Sequence, residues 1–126
     1  HKEAELSAAL AEQELIFESV SEGIVFLKNH VVHKANGKFA AMLGHPLDAL
    51  IGQPDVLWFA QPAEWESERR EVDAVLARGE IHRGELLVRR RDGEAFWCEV
   101  RGRAVRPEDT EAGSIWVYID ISARKE

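Results

Sequence analysis

Asp92-Gly93 stands between two runs of alternating polarity, and that arrangement restricts the fold more than any other feature of the chain. An Asp-Gly pair readily takes the positive φ angles of a two-residue hairpin turn. Beyond it, Phe96, Cys98 and Val100 alternate with Trp97, Glu99 and Arg101, the period of a strand buried on one face. The pattern predicts antiparallel strands over 81–91 and 95–105. Ser114 to Ile119 reads as a further strand, reached through an acidic turn.

Upstream, the signals switch between strand and helix. Ile24-Val25-Phe26-Leu27 and Val31-Val32-His33 flank the polar turn Lys28-Asn29-His30, a second hairpin. Asn36 is placed to cap a helix carrying Phe39, Ala40, Met42 and Leu43, and Gly44 stops it. Pro46 starts a short helix that Gly52 ends. Pro54 to Ala60 reads as irregular chain or a single turn. Pro62 opens the longest inner helix, which runs to Arg78 with Gly79 as its stop. Trp65, Arg69, Val72, Val75 and Leu76 share one side of it. Strands and helices are grouped rather than alternating, so the fold class is α+β with an antiparallel sheet. No Gly-rich loop joins a strand to a helix, which argues against a dinucleotide fold.

Lys2 to about Ser19 has the composition of a helix, with no Pro or Gly. Leu6, Ala9 or Leu10, Gln13, Ile16 and Val20 recur at spacings of three and four, a heptad-like stripe. That stripe fits an amphipathic helix lying on its own sheet, a helix pairing across a dimer, or both. The divisions expected are an amphipathic dimerisation helix at 1–20, a domain at 21–120 and the start of a linker helix at 121–126. His1 is an unusual first residue and reads as an internal fragment or a tag remnant.

A chain of 126 residues suits one domain with one core. No apolar run approaches the roughly 20 residues of a membrane span, and no signal-peptide pattern opens the chain. A cytoplasmic location and no direct membrane insertion are expected. The net charge of −7 argues against nucleic acid as a partner. Cys98 is the sole cysteine, so neither an intrachain disulfide nor a Cys-based metal cluster can form. The histidines lie on termini, turns and strand edges, with no metal-site spacing. His30 and His33 flank a turn with no acidic residue near them in sequence, so they read as solvated side chains. Paired carboxylates occur at Glu108-Asp109 and Glu64/Glu66. No nucleophile-base pair or phosphate loop accompanies them, so no catalytic residues are assigned.

Five fragments, in order, resemble a PAS domain. The first is Glu22-Gly23-Ile24. The second is Ala35-Asn36 with Phe39, Met42, Leu43, Gly44 and His45, similar to the family's N-x-x-F-x-x-x-x-G-Y helix with His45 in place of Tyr. Leu50-Ile51-Gly52 is the third. Gly84-Glu85 through Arg90-Arg91-Asp92-Gly93 to Phe96-Trp97 is the fourth. The fifth is Asp120-Ile121-Ser122-Ala123-Arg124-Lys125-Glu126, similar to the Asp-Ile-Thr-Glu-Arg-Lys exit motif. The resemblance implies a five-stranded antiparallel sheet with helices covering one face. It also implies a cavity between them for a small ligand, and signalling through flanking helices, commonly in a homodimer. Asp120, Ile121 and Ser122 then mark the signal exit into an output domain of the same polypeptide. Family habit makes that domain a diguanylate cyclase first and a histidine kinase next.

The resemblance also bears on cofactors. The light-sensing LOV branch needs a Cys where this chain has Asp55, and presents amides where strand parity puts Val88, Cys98 and Tyr118. LOV-type flavin is disfavoured. Haem-binding members use a His on the long helix, and 62–78 contains none. Flavin redox sensors carry a Trp where His82 stands. A small organic ligand remains. The candidate cavity residues are Phe26 (or Val25), Asn36, Phe39, Met42, Trp58, Val72, Leu86, Val88, Cys98, Trp116 and Tyr118, with Tyr118 O–H and Trp116 N–H as polar contacts. The alternative is that these side chains fill the core of a ligand-free scaffold used for protein–protein assembly. Trp97 faces away from Cys98 and needs cover, which Leu10, Ile16 and Phe17 of the N-terminal helix would provide, from its own chain or a partner's. Leu6 completes that packing set. Arg89, Arg91, Arg101 and Arg103 form an outward basic stripe, expected to make surface pairs with the N-terminal glutamates.

Overall fold

In a computed structural model, which describes residues 10–12 and 15–125, the strands form one five-stranded antiparallel sheet in the order β2-β1-β5-β4-β3. The strands are β1 (Gly23–Lys28), β2 (Val31–Ala35), β3 (His82–Arg89), β4 (Ala95–Ala104) and β5 (Ser114–Asp120). Residues 10–12 and 15–19 are helical and are called α1. Between β2 and β3 come α2 (Gly37–Leu43), α3 (Leu47–Leu50), the 3-10 turn η1 (Asp55–Trp58) and α4 (Pro62–Ala77). A second 3-10 turn, η2 (Thr110–Ala112), precedes β5, and α5 (Ser122–Lys125) follows it. The fold is the α+β arrangement expected. Among the described residues, no helix is long and apolar enough to cross a membrane.

The turn and cap signals act where local chemistry places them. Arg90 N donates to Glu94 O at 2.8 Å, so the hairpin closes over three residues, Arg91-Asp92-Gly93, not two, with Gly93 at φ 95°. Gly44 adopts φ 75° and donates to Ala40 O and Ala41 O, closing α2. At the first hairpin, Asn29 and His30 both have positive φ, 52° and 62°, so a two-residue turn forms without glycine.

Both edge strands make backbone bonds beyond the sheet. Along β2, Val32 N donates to Gln53 O, Gly52 N to Val32 O and Asp55 N to His30 O. Along β3, Ala60 N donates to Leu87 O. These bonds occupy edge groups that would otherwise pair with another chain, and they bring η1 beside the first hairpin.

The inner face of the sheet presents Val25, Leu27, Val32, Val88, Cys98, Val100, Trp116 and Tyr118, all buried. Phe39, Leu43, Leu50, Trp58, Trp65, Val72 and Leu76 come down on it from the helices. Gly102 pairs with Trp116 across β4 and β5. A Cβ there would run into the indole ring, so the absence of a side chain is what lets Trp116 lie flat on the strand.

Phe26 is a correction. It lies on the outer face, half-buried, while Val25 and Leu27 point inward. Four consecutive apolar residues carry no alternation, so parity cannot be read there. The register between β1 and β2 also shifts between Phe26 and Leu27. Phe26 instead meets Phe17 of α1, ring centroids 6.2 Å apart. Phe17 therefore covers the β1 side of the outer face. Trp97, on β4, stays 37% exposed, and Leu10 and Ile16 are exposed as well. Leu6 lies outside the described residues. Of the basic stripe, Arg101 pairs with Glu99 of its own strand at 2.9 Å.

Candidate functional site

The centre of the expected cavity is filled. Phe39 meets Trp58 edge-on with centroids 5.1 Å apart, and meets Tyr118 at the same distance. Trp58 Nε1 donates to the Tyr118 hydroxyl at 3.1 Å. At the α2 end, Met42 Sδ and Cys98 Sγ lie 4.0 Å apart. Val72 and Val88 pack into the same core. Burial pushes the Cys98 thiol up to about 12, with Asp120 adding to the rise and Arg90 opposing it. The thiol is a core group, without the low pKa that marks a reactive one.

Space remains at the other end. A cavity of about 200 Å³ lies between α4 and the inner face of β3, β4 and β5. Its wall includes Phe59, Trp65, His82, Leu86, Val100, Trp116 and Tyr118, with Leu27 and Asp55 on the β1 and η1 side. Glu68, Arg83 and Glu85 stand at its exposed rim. Of the residues singled out from sequence, Leu86, Trp116 and Tyr118 border this space. Asn36, Phe39, Met42, Trp58, Val72, Val88 and Cys98 do not, and all are buried elsewhere in the core. Sequence reading missed Phe59, Trp65, Val100 and Asp55. Trp65 was placed on the inner side of the helix, which was the available signal, but nothing local distinguishes a side chain that fills space from one that borders it.

The polar groups of the wall are few. Trp116 Nε1 donates to Ser114 Oγ at 2.9 Å, so it is not the free polar contact expected. Tyr118 accepts from Trp58 and keeps its own hydrogen to donate. Burial raises its pKa strongly, so the hydroxyl stays protonated. Trp65 is 8% exposed, and its buried Nε1 has no acceptor among the described residues. Burial lowers the His82 pKa, partly offset by Glu68 and Glu71. The His82 ring meets Trp116 at 5.8 Å.

Asp55 is 3% exposed and belongs to two environments. It borders the cavity, and its Oδ2 lies 3.2 Å from His30 Nδ1. His30 Nε2 lies 3.3 Å from Asp73 Oδ1 on α4. His30 is therefore a cross-link between the first hairpin, η1 and α4, not the solvated side chain expected. Its partners are 25 and 43 positions away in sequence, beyond the reach of spacing arguments. Among the described residues, no group of three or more His, Cys, Asp or Glu is arranged to hold a metal ion.

Asn36 is wholly buried and uses every polar atom it has. Its Oδ1 accepts from Phe39 N and Ile24 N, and its Nδ2 donates to Phe17 O and Glu22 O. Glu18 Oε1 accepts from Gly37 N beside it. At the far end, Asp120 Oδ1 accepts from Ser122 N at 2.9 Å and starts α5. Ile121 is 3% exposed and donates from its N to Trp97 O. The Arg90 guanidinium bonds both Asp120 Oδ2 and Met42 O. Burial tends to raise the Asp120 pKa, but the Ser122 N–H and Arg90 outweigh it and hold the carboxyl below its usual range.

Comparison with known proteins agrees with this architecture. The chain is 26% identical over 112 residues to the sensor protein TdiS of Thauera aromatica, covering 89% of this chain and 20% of that protein. It thus spans about a fifth of the curated relative it matches. Among solved structures, the PAS domain of a LuxR-family transcriptional regulator from Burkholderia thailandensis, solved with ethanol, is 25% identical. Its TM-score is 0.78, covering 86% of this chain and 96% of that one. A PAS domain from Colwellia psychrerythraea has a TM-score of 0.82 at 22% identity, covering 92% and 99%. The family model described as "PAS domain" matches residues 21–123, and on that match this chain belongs to the PAS domain family.

Proposed function

We propose that this chain is a sensory module that takes a small organic ligand into the α4-side cavity and passes the change through β5 to α5. One observation carries the reading. β5 supplies Trp116 and Tyr118 to the cavity wall, and the same strand ends at Asp120, which starts the outgoing helix. A ligand that shifts the wall acts directly on the strand that leads out. Ligand contact then falls to Leu86, Trp116 and Tyr118 of the residues expected from sequence, with Asp120, Ile121 and Ser122 as the exit. The name of the Thauera relative supports a signalling role.

The module sits in the cytoplasm, within a longer polypeptide of an incoming helix at 1–20, the domain at 21–120 and a linker from 121. Chemistry lies in a downstream output domain, a diguanylate cyclase first and a histidine kinase next, on the strength of the exit-motif resemblance. The exposed Leu10, Leu15 and Ile16 of α1 support a homodimer in which these side chains meet a second copy. Deleting residues 2–15 should turn the dimer into a monomer in sedimentation, and an unchanged dimer would remove α1 from the seam.

Native mass spectrometry against the denatured mass tests the main reading. An added mass that disappears on denaturation supports a chemical sensor and gives the ligand's size. The Phe39–Trp58–Tyr118 packing is what favours the other reading, a ligand-free assembly module. A bare dimer that binds no small molecule would support it.

A further inference from the structure

We infer that His30 is a proton-operated latch on α4: as an imidazolium it ties α4 to the first hairpin, and on losing a proton it keeps Asp55 and lets go of Asp73. Its Nδ1 lies 3.2 Å from Asp55 Oδ2 on η1, and its Nε2 lies 3.3 Å from Asp73 Oδ1 on α4. The imidazolium carries an N–H for each carboxylate, and the neutral ring has one. A latch of this kind works whether or not the cavity holds a ligand.

Burial decides which contact is given up. The Asp55 side chain is 4% exposed, whereas that of Asp73 is 51% exposed. Water can replace the imidazole at Asp73, but Asp55 without its donor would bear the cost of a buried, poorly paired charge. The remaining proton therefore stays on Nδ1. The backbone acts in the same direction. Asp55 N donates to His30 O at 2.9 Å, so η1 stays on the hairpin when the side-chain proton leaves. Besides this contact, Trp65, Val72 and Leu76 seat α4 on the core, and its Arg69–Glu66 pair lies within the helix. The charged groups around His30 are Asp55 from η1, and Asp73 and Arg69 from α4. Arg106, from the β4–β5 loop, borders the same crevice as His30 and Asp73. The two carboxylates favour the imidazolium and outweigh burial and Arg69. The helix released is the one that brings Trp65 and Glu68 to the cavity, so proton binding sets how firmly that wall is held.

The test follows amide hydrogen exchange of the 126-residue chain on both sides of the His30 titration, which imidazole NMR locates with His30→Gln as the assignment. Rates are corrected for the intrinsic pH dependence of exchange. The α4 amides at 66–77 are read relative to those of β5, so that changes in global stability from His45 and His82 cancel. Relative protection of α4 should fall roughly three- to tenfold as His30 loses its proton, while the Asp55 amide keeps its own. Asp73→Ala replaces an exposed helical side chain with a strong helix former, so the variant should fold. It should show the lower α4 protection on both sides of the titration, with β5 protection reporting its fold. Three results would overturn the latch. They are α4 protection that ignores the titration, release of the Asp55 amide in place of α4, and the full pH dependence persisting in Asp73→Ala.

Discussion

Arg90 reaches Asp120 with Nη2 at 3.3 Å from Oδ2, while its guanidinium lies 3.8 Å from the centre of the Phe96 ring. The same group holds Met42 O at the end of α2. One side chain thus joins α2, the β3–β4 hairpin and the end of β5. The ion pair is partly exposed and contributes little alone. The stacking on Phe96 and the bond to a backbone carbonyl add to it. Arg90→Ala should cost about 1–2 kcal/mol and raise amide exchange across residues 121–125. Arg90→Lys should not restore protection, because an ammonium cannot reproduce the planar fork. Unchanged exchange in both variants would show that the exit is held by other contacts.

Asn36→Ala should be more damaging. It removes the cap of α2, worth about 1 kcal/mol. It also leaves Ile24 N and Phe17 O without their side-chain partner. A total near 2–3 kcal/mol is expected in urea unfolding. Exchange at residues 15–19 should rise more than in the sheet, since the Asn36 amide is what holds that carbonyl. Asn36→Asp keeps the two acceptor contacts and loses the two donor contacts, so it should spare α2 and still release α1.

His30 predicts a pH dependence. Both ring nitrogens face carboxylate oxygens, and only the imidazolium has an N–H for each. The hydrogen bond to Asp55, with the charges of Asp55 and Asp73, raises the His30 pKa above 6.5 against burial and Arg69. A raised folded pKa gives stability that is fully present below the unfolded value and lost as pH rises through the folded one. The stability difference between the native protein and His30→Gln should therefore be largest below 6.5 and shrink as pH climbs above it. His45 and His82 act in the opposite sense, since burial lowers both and protonation below 6.5 weakens the fold. The comparison with His30→Gln separates them. A difference that does not vary with pH would show a neutral His30.

Gly102→Ala should destabilise the domain by about 1–3 kcal/mol through overpacking against Trp116. The Trp116 ring has to move, and its fluorescence should change with it. A neutral unfolding midpoint would place the indole elsewhere.

Local chemistry made much of the fold legible. Asp92-Gly93, Gly44, Asn36 and the Pro62 to Gly79 span each act within a few residues, so each could be read where it stands. Parity served β4 and β5, where polar and apolar residues alternate, and gave no answer for the uniformly apolar β1. The candidate site was less legible, because it depends on which large side chains fill the core. Phe39, Trp58 and Tyr118 come from positions up to 79 apart and occupy the middle, and the cavity described above lies beside Trp65. The unpaired Trp65 N–H and the His30 cross-link are facts about neighbours that no spacing along the chain encodes.

Asn36 and Arg90 grip the two ends of the same short helix. One caps the start of α2 and holds α1, and the other takes the Met42 carbonyl near the end of α2 and holds Asp120. α2 is seven residues long, about 10 Å from end to end. It is therefore a strut pinned at both ends, running alongside the sheet between the incoming and outgoing helices. Torque applied to either helix is shared by strut and sheet, so in a longer chain this segment would turn as a stiff coupling and not as a swivel.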